Sequence, residues 1–327
     1  MPWVRVVIVN YNSGPLLAAA VAGLARQTDP DFEAVIVDNA STDGSAEAVV
    51  LPDCRFRLLR AGNNLGFAAG SNLGASGART AWLAMLNPDA VPDPEWLANL
   101  RRATARHPEA AAFGSTQVDA HYPGTLDGAG DNYSIYGIAW RGGTGAPAES
   151  IRQDFRVFSA CAAAALYRRD TFEEAGGFSE PFFCYLEDVD LGFRLNLRGY
   201  RAIQVADARV AHIGSASSGG KASAFAFYHA LRNAVYVCVR CVPFPLVFLS
   251  MPLLVVWQFW VGLRTNSLAA RISALRDGLS RVAPLLRERR VIQSERRLSL
   301  WQVASLLVWR PRHVTTHAIV PLSPRQE

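Results

Sequence analysis

The sequence predicts an α/β fold, in which a mostly parallel sheet carries helices on both faces, followed by a C-terminal helical region. Two observations lead to this prediction. Short β-branched runs alternate with helix-length segments in the first third of the chain, and an uncharged stretch followed by arginine-rich amphipathic segments occupies its end. With 327 residues, half of them hydrophobic, the chain can bury a large core, which excludes a disordered protein or a disulfide-stapled miniprotein.

The N-terminal third is predicted to build half of the sheet. Residues 4–9 are typical of a buried parallel strand, and residues 14–26 are predicted to form a helix. Further strands are predicted at 33–37, 56–59 and 82–86, and helices from 41 or 42 to about 50, at 67–78 and at 94–107. Ligands of such sheets bind at the carboxyl ends of the strands. The polar residues that follow these strands are therefore candidate binding residues: Asn10, Asp38, Asn39, Asn63, Asn64, Asn87 and Asp89.

The middle of the chain is more varied. Residues 119–150 are glycine-rich and are predicted to form an irregular or hairpin insertion, a kind of segment that often covers a site. Residues 155–169 are apolar and return to the core. A helix is predicted at 191–197, followed by a last strand at 202–205.

Residues 241–263 carry no charge. The segment is long enough to span a bilayer, which takes about 20 residues. Pro243, Pro245 and Pro252 interrupt it, and each would remove a helical hydrogen bond in lipid. Three interpretations remain open at this point: an interfacial or re-entrant segment, a spanning helix, or a buried pair of helices.

The end of the chain is basic and amphipathic. Residues 264–327 have a net charge of +8, whereas residues 1–263 have −3. Apolar residues recur at steps of three and four between Leu268 and Val282, and the pattern continues past Pro284 to Trp309. Tryptophan and leucine interleaved with arginine favour an anionic membrane surface over a nucleic acid partner. A helix packed on its own domain is the alternative.

Two residues could hold a metal ion. Asp89 follows Asn87 and Pro88 directly after a predicted strand, where one carboxylate could bind a divalent cation together with phosphate oxygens. A plain turn is the alternative for this triplet. His212 follows the last strand pattern, and with Asp89 it would give a donor set suited to Mg²⁺ or Mn²⁺ more than to structural Zn²⁺.

An acidic cluster follows an aromatic stretch. Glu187, Asp188 and Asp190 lie within four residues, and their mutual repulsion should raise the pKa of at least one carboxyl group. Asp188, beside apolar rings, is a candidate general base. The alternative is that the three charges favour the start of a helix.

Taken together and in order, these pieces resemble the family 2 glycosyltransferases with the GT-A fold, particularly their rhamnosyltransferase-like branch. The resemblance runs from Val4 to about Asn233. It rests on spaced motifs at 7–12, 37–44, 63–72, 86–89, 176–178 and 183–191 and on His212.

The resemblance implies an inverting transfer of a sugar from a nucleotide diphosphate to a hydroxyl group. It divides the chain into a GT-A domain at 1–233, with a nucleotide-sugar-binding half at 1–115 and an acceptor-side half at 116–233, and a membrane-associating helical region at 234–327. It places Asp38 at the nucleobase. The nucleotide-sugar-binding residues that it implies are Asn10, Asn12, Asp38, Asn39, Asn64, Gly66, Gly70, Asn72 and Asn87.

For catalysis, the resemblance implies that Asp188 deprotonates the acceptor hydroxyl and that Glu187 and Asp190 help to shape the site. Asp89 and His212 would bind Mg²⁺ or Mn²⁺ at the diphosphate. Inversion needs no covalent nucleophile, and the sequence shows no nucleophile elbow. The sequence departs from the family pattern at Asn87, which leaves fewer carboxylates for a metal, and at Cys161 and Leu186, where relatives commonly have glycine.

We therefore expect an enzyme at the cytoplasmic face of the membrane, with dTDP-rhamnose as donor and a lipid-linked glycan or cell-surface polysaccharide precursor as acceptor. The start of the chain shows no signal-peptide pattern, and five cysteines, an odd number, favour reduced thiols. The alternative function is a catalytically silent, membrane-associated protein that binds nucleotide sugars. Such a protein would be expected to lose Asp89 or Asp188, and both are present.

Overall fold

The computed structural model describes residues 1–214 and 223–323. Strands and helices alternate in the first third, as the sequence predicts. These elements are β1 (Val4–Asn10), α1 (Leu16–Ala25), β2 (Phe32–Asp38), α2 (Ser45–Ala48), β3 (Phe56–Arg60), α3 (Gly66–Ala75), β4 (Trp82–Leu86), β5 (Ala90–Pro92) and α4 (Trp96–Arg106). The helix predicted from 41 or 42 to about 50 is only four residues long. Ser41 does not cap it, because its hydroxyl accepts hydrogen bonds from Asn10 Nδ2 and Asn12 N instead.

The middle of the chain adds strands and two helices that bring the acidic cluster to the sheet. They are β6 (Ala110–Asp119), β7 (Leu126–Gly128), β8 (Asp131–Tyr133), β9 (Ala139–Arg141), β10 (Phe155–Val157), β11 (Ala164–Arg168), α5 (Arg169–Glu174), α6 (Glu187–Leu197) and β12 (Arg201–His212). The glycine-rich insertion contains β7 and a hairpin of β8 and β9. Helix α6 begins at Glu187, earlier than predicted, so the acidic cluster forms its first turn.

The sheet has the strand order β10-β12-β6-β11-β4-β1-β2-β3. The prediction of parallel pairing holds for the N-terminal half, where β3, β2, β1 and β4 all run parallel. The other half is mixed, because β11 runs antiparallel to both β4 and β6. This reversal brings the start of β11 to the carboxyl end of β4, where Asn87 N–H donates to Ala163 O at 2.8 Å.

The core lies on both faces of the sheet. In β1, Val4, Val6 and Ile8 point to one face, and Val7 and Val9 point to the other. Helices α1 and α4 cover the first face, and α3, α5 and part of α6 cover the second. Burial on both faces explains why the strands of the N-terminal half are continuous apolar runs.

The C-terminal region is helical, as predicted. It comprises α7 (Ala224–Cys241), α8 (Leu246–Arg264), α9 (Leu268–Ser280), α10 (Val282–Ser294), α11 (Leu300–Leu306) and α12 (Pro311–Thr315). The predicted boundary at residue 233 falls inside α7. Buried side chains of α6, such as Phe193, share one cluster with Val235 and Tyr236 of α7 and with Leu275 and Leu285 beyond it. The last four residues of the region lie outside the described part of the chain.

Helix α8 contains most of the uncharged stretch. Within the described residues, it is the one helix whose length and composition would suffice to cross a membrane. Its buried residues recur every four positions, at Ser250, Leu254, Gln258 and Gly262. Large apolar side chains are exposed on its other faces: Phe248, Leu249, Val255, Val256, Phe259, Trp260 and Leu263. The stretch therefore does not form the buried helix pair that was one of the three interpretations.

Helix α9 returns from α8 to the body of the protein. A Cβ atom at Gly278 of α9 would lie 2.9 Å from Val235 Cβ of α7, which shows how closely the two helices approach. Ala274 and Leu275 are buried, while Ile272 and Leu279 of the predicted apolar stripe remain exposed. Arg289 of α10 is buried and donates to the carbonyls of Val239 and Val242, so it does not belong to an outward-facing basic surface.

Candidate active site

A cavity of about 590 Å³ opens at the carboxyl ends of β1 and β4. The N-terminal half contributes the backbone and side chains of the loops that follow these strands. The opposite wall is formed by the glycine-rich insertion, residues 161–163 just before β11, the first turn of α6 and the end of β12. Eight of the predicted site residues line this cavity: Asn39, Asn64, Gly66, Asn87, Asp89, Glu187, Asp188 and His212.

Asp89 and His212 are neighbours across a strand pair. The turn after β4 leads into β5, and β5 pairs antiparallel with β12 so that Ala90 lies opposite His212. His212 Nε2 lies 3.3 Å from Asp89 Oδ1, and both side chains are buried. The turn interpretation of this triplet and the metal-site interpretation are therefore compatible, because the turn is what brings the carboxylate to the histidine.

His212 is oriented by Asp127, a residue that the sequence did not single out. Its Nδ1–H donates to Asp127 Oδ2 at 2.8 Å, and the Arg141 guanidinium donates to the same carboxylate. Burial lowers the pKa of His212, but the carboxylates of Asp127 and Asp89 outweigh burial, so the pKa lies above its ordinary value. The hydrogen bond to Nδ1 leaves Nε2 as the ring nitrogen that faces Asp89.

The residues around His212 fit a divalent cation. Nε2 is buried and has no hydrogen-bond partner among residues 1–214 and 223–323, although it lies close to a carboxylate. One imidazole nitrogen and one carboxylate, completed by diphosphate oxygens, suit Mg²⁺ or Mn²⁺. A carboxylate on the far nitrogen of a ligating histidine is the usual way in which proteins orient such a ligand.

Asp188 lies in the first turn of α6 and faces the cavity. Its two carboxylate oxygens accept the backbone N–H groups of Ala162 at 2.9 Å and Val189 at 2.8 Å, and its carbonyl accepts the Ser159 hydroxyl at 2.7 Å. Burial raises the pKa of Asp188, and the two backbone N–H groups offset part of that rise. The carboxylate is thus fixed in direction and is more basic than an ordinary aspartate.

Two further carboxyl groups surround Asp188. Burial and the charge of Asp188 raise the pKa of Glu187 well above its ordinary value. Burial and Asp188 also raise the pKa of Asp131, and Arg141 opposes this rise. Ligand atoms of Asp131, Cys161 and Asp188 all lie within 4.8 Å of one another. The carboxyl groups of Asp131, Glu187 and Asp188 bind protons more strongly than isolated carboxyl groups would, which favours one of them as a general base.

Comparison with known proteins identifies the family. The family model described as glycosyl transferase family 2 matches residues 5–176, which is more than half of the chain. The chain is a family 2 glycosyltransferase.

Relatives of this glycosyltransferase have names that refer to sugar transfer or polysaccharide synthesis. The N-acetylglucosaminyl-diphospho-decaprenol L-rhamnosyltransferase of Mycobacterium tuberculosis is 32% identical over 247 residues, which cover 68% of this chain and 80% of that protein. An O-antigen biosynthesis protein of Myxococcus xanthus is 35% identical over 227 residues, which cover 64% of this chain but 17% of that protein.

A solved structure confirms the predicted fold. A mannosyltransferase from Pyrobaculum calidifontis, determined with GDP-Man and Mn²⁺, has a TM-score of 0.56 and 20% identity, and the match covers 93% of this chain and 86% of that chain. At this identity the likeness shows the fold alone, which is of the GT-A type.

Seven predicted site residues of this glycosyltransferase, Asn63 among them, do not line the main cavity. Asn10 and Asp38 are buried beneath it, and Asn10 Nδ2 lies 3.0 Å from Asp38 Oδ1 and 2.9 Å from the hydroxyls of Ser41 and Ser45. They tie the end of β1 to the loop after β2. Asn12 instead lines a smaller cavity of about 370 Å³, which Asp89 also lines.

Gly70 and Asn72 act through packing and hydrogen bonds. A Cβ atom at Gly70 would lie 2.9 Å from Val9 Cγ1, so glycine allows α3 to approach β1. The Asn72 side chain donates to Phe178 O at 2.8 Å and accepts from Phe178 N–H at 2.9 Å, and its Nδ2 also donates to Glu180 Oε1 at 3.4 Å. The motif at 63–72 therefore holds α3 in place, while Asn64 and Gly66 reach the cavity.

Asp190 does not line the cavity. It is fully buried, accepts a hydrogen bond from Arg194 Nε at 2.8 Å on one oxygen, and accepts one from Arg240 Nη1 at 2.8 Å on the other. The side chain points to α7 because it lies on the opposite face of α6 from Asp188. These contacts join α6 to α7, so the side chain does not itself reach the cavity that it was predicted to help shape.

The insertion brings residues to the site that were not predicted from the sequence. Asp127, Asp131, Trp140 and Arg141 come from β7, β8 and β9, and the last three line the cavity. The glycines around them indicated a loop that covers a site, but no spacing marked these particular residues. Only the pairing of β6 with β7 and of β8 with β9 brings them to His212 and Asp188.

Proposed function

We propose that this glycosyltransferase inverts the anomeric centre and depends on a divalent cation, transferring rhamnose from dTDP-rhamnose to a hydroxyl of a lipid-linked glycan or cell-surface polysaccharide precursor. One observation carries the proposal. The oriented, basic carboxylate of Asp188 and the Asp89–His212 pair line the same cavity, so a base and a cation site face one substrate volume.

The chemistry follows from this arrangement. The acceptor oxygen forms a bond to the anomeric carbon as the bond from that carbon to the diphosphate oxygen breaks. The hydroxyl proton moves to Asp188, and the leaving diphosphate keeps the electron pair. A single displacement of this kind inverts the anomeric centre and requires a base on the side opposite to the leaving group.

Asp89 and His212 would hold the cation, with Asp127 fixing the histidine ring. When bound, the cation neutralises the charge that develops on the leaving diphosphate. Asn39, Asn64 and Gly66 line the N-terminal side of the cavity and would contact the nucleotide. Asn39 Nδ2 donates to Gly66 O at 2.9 Å, which keeps the two loops together.

The relatives support the choice of substrates. The name of the M. tuberculosis relative specifies an L-rhamnosyltransferase that acts on N-acetylglucosaminyl-diphospho-decaprenol, and that relative is matched over 80% of its length. The name of the M. xanthus relative specifies O-antigen biosynthesis. Both names are consistent with a lipid-linked or polysaccharide acceptor for this enzyme.

A lipid-linked acceptor requires access to a membrane, and the C-terminal helices support such access on the cytoplasmic face. The exposed apolar side chains of α8 adjoin a region of net charge +8. Since α9 packs back onto α7, α8 is better suited to lie in the interface than to cross the bilayer. Arginine side chains would then contact anionic headgroups.

The test is release of nucleoside diphosphate from dTDP-, UDP- and GDP-sugars with Mg²⁺ or Mn²⁺ and a membrane lipid extract. Turnover with dTDP-rhamnose that is lost in Asp188→Asn is the expected result. Turnover with another donor only would overturn the choice of sugar. Absence of both turnover and metal-dependent nucleotide binding would overturn the proposed function.

A further inference from the structure

The segment just before α6 has an unusual backbone. Phe183, Tyr185 and Leu186 have φ values of +66°, +69° and +65°, in a region that residues with side chains rarely occupy. Such conformations persist only where the surroundings hold them, and they concentrate at functional sites. All three residues line the cavity, and Leu186 directly precedes Glu187 and Asp188, the two carboxylates of α6 that line it.

The same segment contacts the nucleotide side of the cavity. Phe183 O accepts the backbone N–H of Ala68 at 3.1 Å. A Cβ atom at Gly66 would lie 2.4 Å from Phe183 O, so only glycine allows this approach. Residues 183–186 therefore connect α3 with the first turn of α6, which carries Asp188. Their conformation sets the position of the start of α3 and of that turn.

A buried amide from α7 holds the segment. Asn233 Nδ2 lies 3.0 Å from Phe182 O, 2.8 Å from Cys184 O and 2.7 Å from Tyr185 O, and Asn233 is fully buried. Arg232 Nε donates to Asn233 Oδ1 at 3.0 Å, which turns the NH₂ group toward the three carbonyls. Two N–H groups serve three carbonyl oxygens, so every donor of this side chain is used on one short segment.

We propose that Asn233 is a positioning residue that holds the segment 183–186, with its three residues of positive φ, and thereby aims Asp188 at the acceptor hydroxyl. The statement that Asn233 aims Asp188 at the acceptor hydroxyl rests on the proposed function. A side chain that only anchored α7 would need one acceptor in the body of the protein, whereas Asn233 engages three carbonyls of the backbone segment that leads into the base.

The test compares Asn233→Ala and Asn233→Asp with a matched control, Asn196→Ala. Asn196 is also a buried asparagine whose amide donates to two carbonyls, those of Phe158 and Gly192, but it lies at the other end of α6. Asn233→Asp preserves the side-chain volume while placing an oxygen against three carbonyl oxygens, so it separates lost hydrogen bonds from lost packing.

Two measurements are made on the full-length protein. Hydrogen–deuterium exchange of peptides that cover Ala68 and residues 183–190 should become faster in both Asn233 variants and stay unchanged in Asn196→Ala. The kcat with the saturating donor should fall about 10- to 100-fold in the Asn233 variants, because small misplacements of a reacting group are costly. The affinity for dTDP with Mn²⁺ should change less than about threefold, since Asn64 and Asp89 are untouched.

The experiments distinguish failure of the proposed function from failure of the inference about Asn233. If the wild-type enzyme transfers no sugar, the proposed function fails, and the exchange experiment still decides whether Asn233 holds the segment. Exchange equal to wild type, or a kcat within about twofold of it, overturns the inference. If the Asn233 variants do not fold, Arg232→Met, which removes the donors to Phe182 O and Asn233 Oδ1, should show the same changes at smaller amplitude.

Discussion

Asp188 is held in place by backbone N–H groups and is made basic by burial. A general base must be ionised to accept a proton, so turnover should be lost as the pH falls through its pKa. Because burial raises that pKa, we expect the acidic limb of the pH profile of kcat to lie above about 3.9, the ordinary value for aspartate.

Steady-state kinetics at saturating donor and acceptor measure this limb, and nucleotide binding measured over the same pH range corrects for the effects of metal loading. A limb at or below the ordinary value for aspartate would contradict burial as the cause of the basicity.

Asp127 acts on the cation site through His212. Asp127→Ala should weaken Mn²⁺ binding in the presence of dTDP by about 10- to 100-fold, because the imidazole loses the partner that fixes its tautomer and its orientation. Asp127→Asn keeps a carbonyl oxygen that can accept the His212 hydrogen bond, so it should lose less Mn²⁺ affinity than Asp127→Ala. Calorimetry or the electron paramagnetic resonance of free Mn²⁺ measures the affinity directly.

The matched control is Asp154→Ala. Asp154 also contacts a histidine, His107 Nε2 at 3.1 Å, but this pair does not line the cavity. Equal losses of Mn²⁺ affinity in the Asp127 and Asp154 variants would mean that the effect is not specific to the site.

At the scale of elements, helix α8 exposes large apolar side chains that a helix in water would normally turn inward. Phe248 is 72% exposed and Trp260 is 44% exposed. A double variant, Phe248→Glu and Trp260→Glu, should remain in the supernatant when mixed with anionic liposomes that sediment the wild-type protein. The substitutions remove apolar side chains that would be buried in the lipid interface, and the new carboxylates are repelled by the anionic headgroups.

Tyr122→Glu is the control for this sedimentation assay, because Tyr122 is 70% exposed and lies in the loop before β7, outside the C-terminal helices. Equal partitioning of the double variant and the wild type would contradict the membrane surface proposed for α8.

The glycine-rich insertion shows why the site could be predicted only in part. Its many glycines predicted a loop that covers a site, and in the structure Trp140 and Arg141 of the insertion line the cavity. Local patterns do not encode which strand pairs with which, and it is the pairing of β5 with β12 that brings His212 beside Asp89. The chemistry of their donor atoms and the family resemblance predicted the two residues as a pair, but their contact depends on this strand pairing.

In the molecule as a whole, the acceptor-side half and the C-terminal helices share one hydrophobic core. The buried ion pair of Asp190 and Arg240 joins α6 to α7. Arg240→Leu should destabilise the protein by about 3–5 kcal/mol, because among the described residues it leaves the buried charge of Asp190 with Arg194 as its one cationic partner. Unfolding in urea should remain a single transition by both fluorescence and circular dichroism.

The control for Arg240 is Arg102→Ala, which breaks an exposed ion pair with Glu95 and should cost about 0–1 kcal/mol. Two separate transitions in the wild-type protein would show that residues 234–327 fold independently, against the shared core.

The α/β fold, the order of most strands and helices, the candidate base and the candidate cation pair could all be predicted from the amino-acid sequence. These follow from local periodicity and from motifs whose spacing is visible along the chain. Three features emerged only from the folded chain: β11 runs antiparallel, Asp190 faces α7, and Asp127, Asp131 and Asn233 belong to the site or its support. These features depend on contacts between segments far apart in the chain, and no local pattern specifies such contacts.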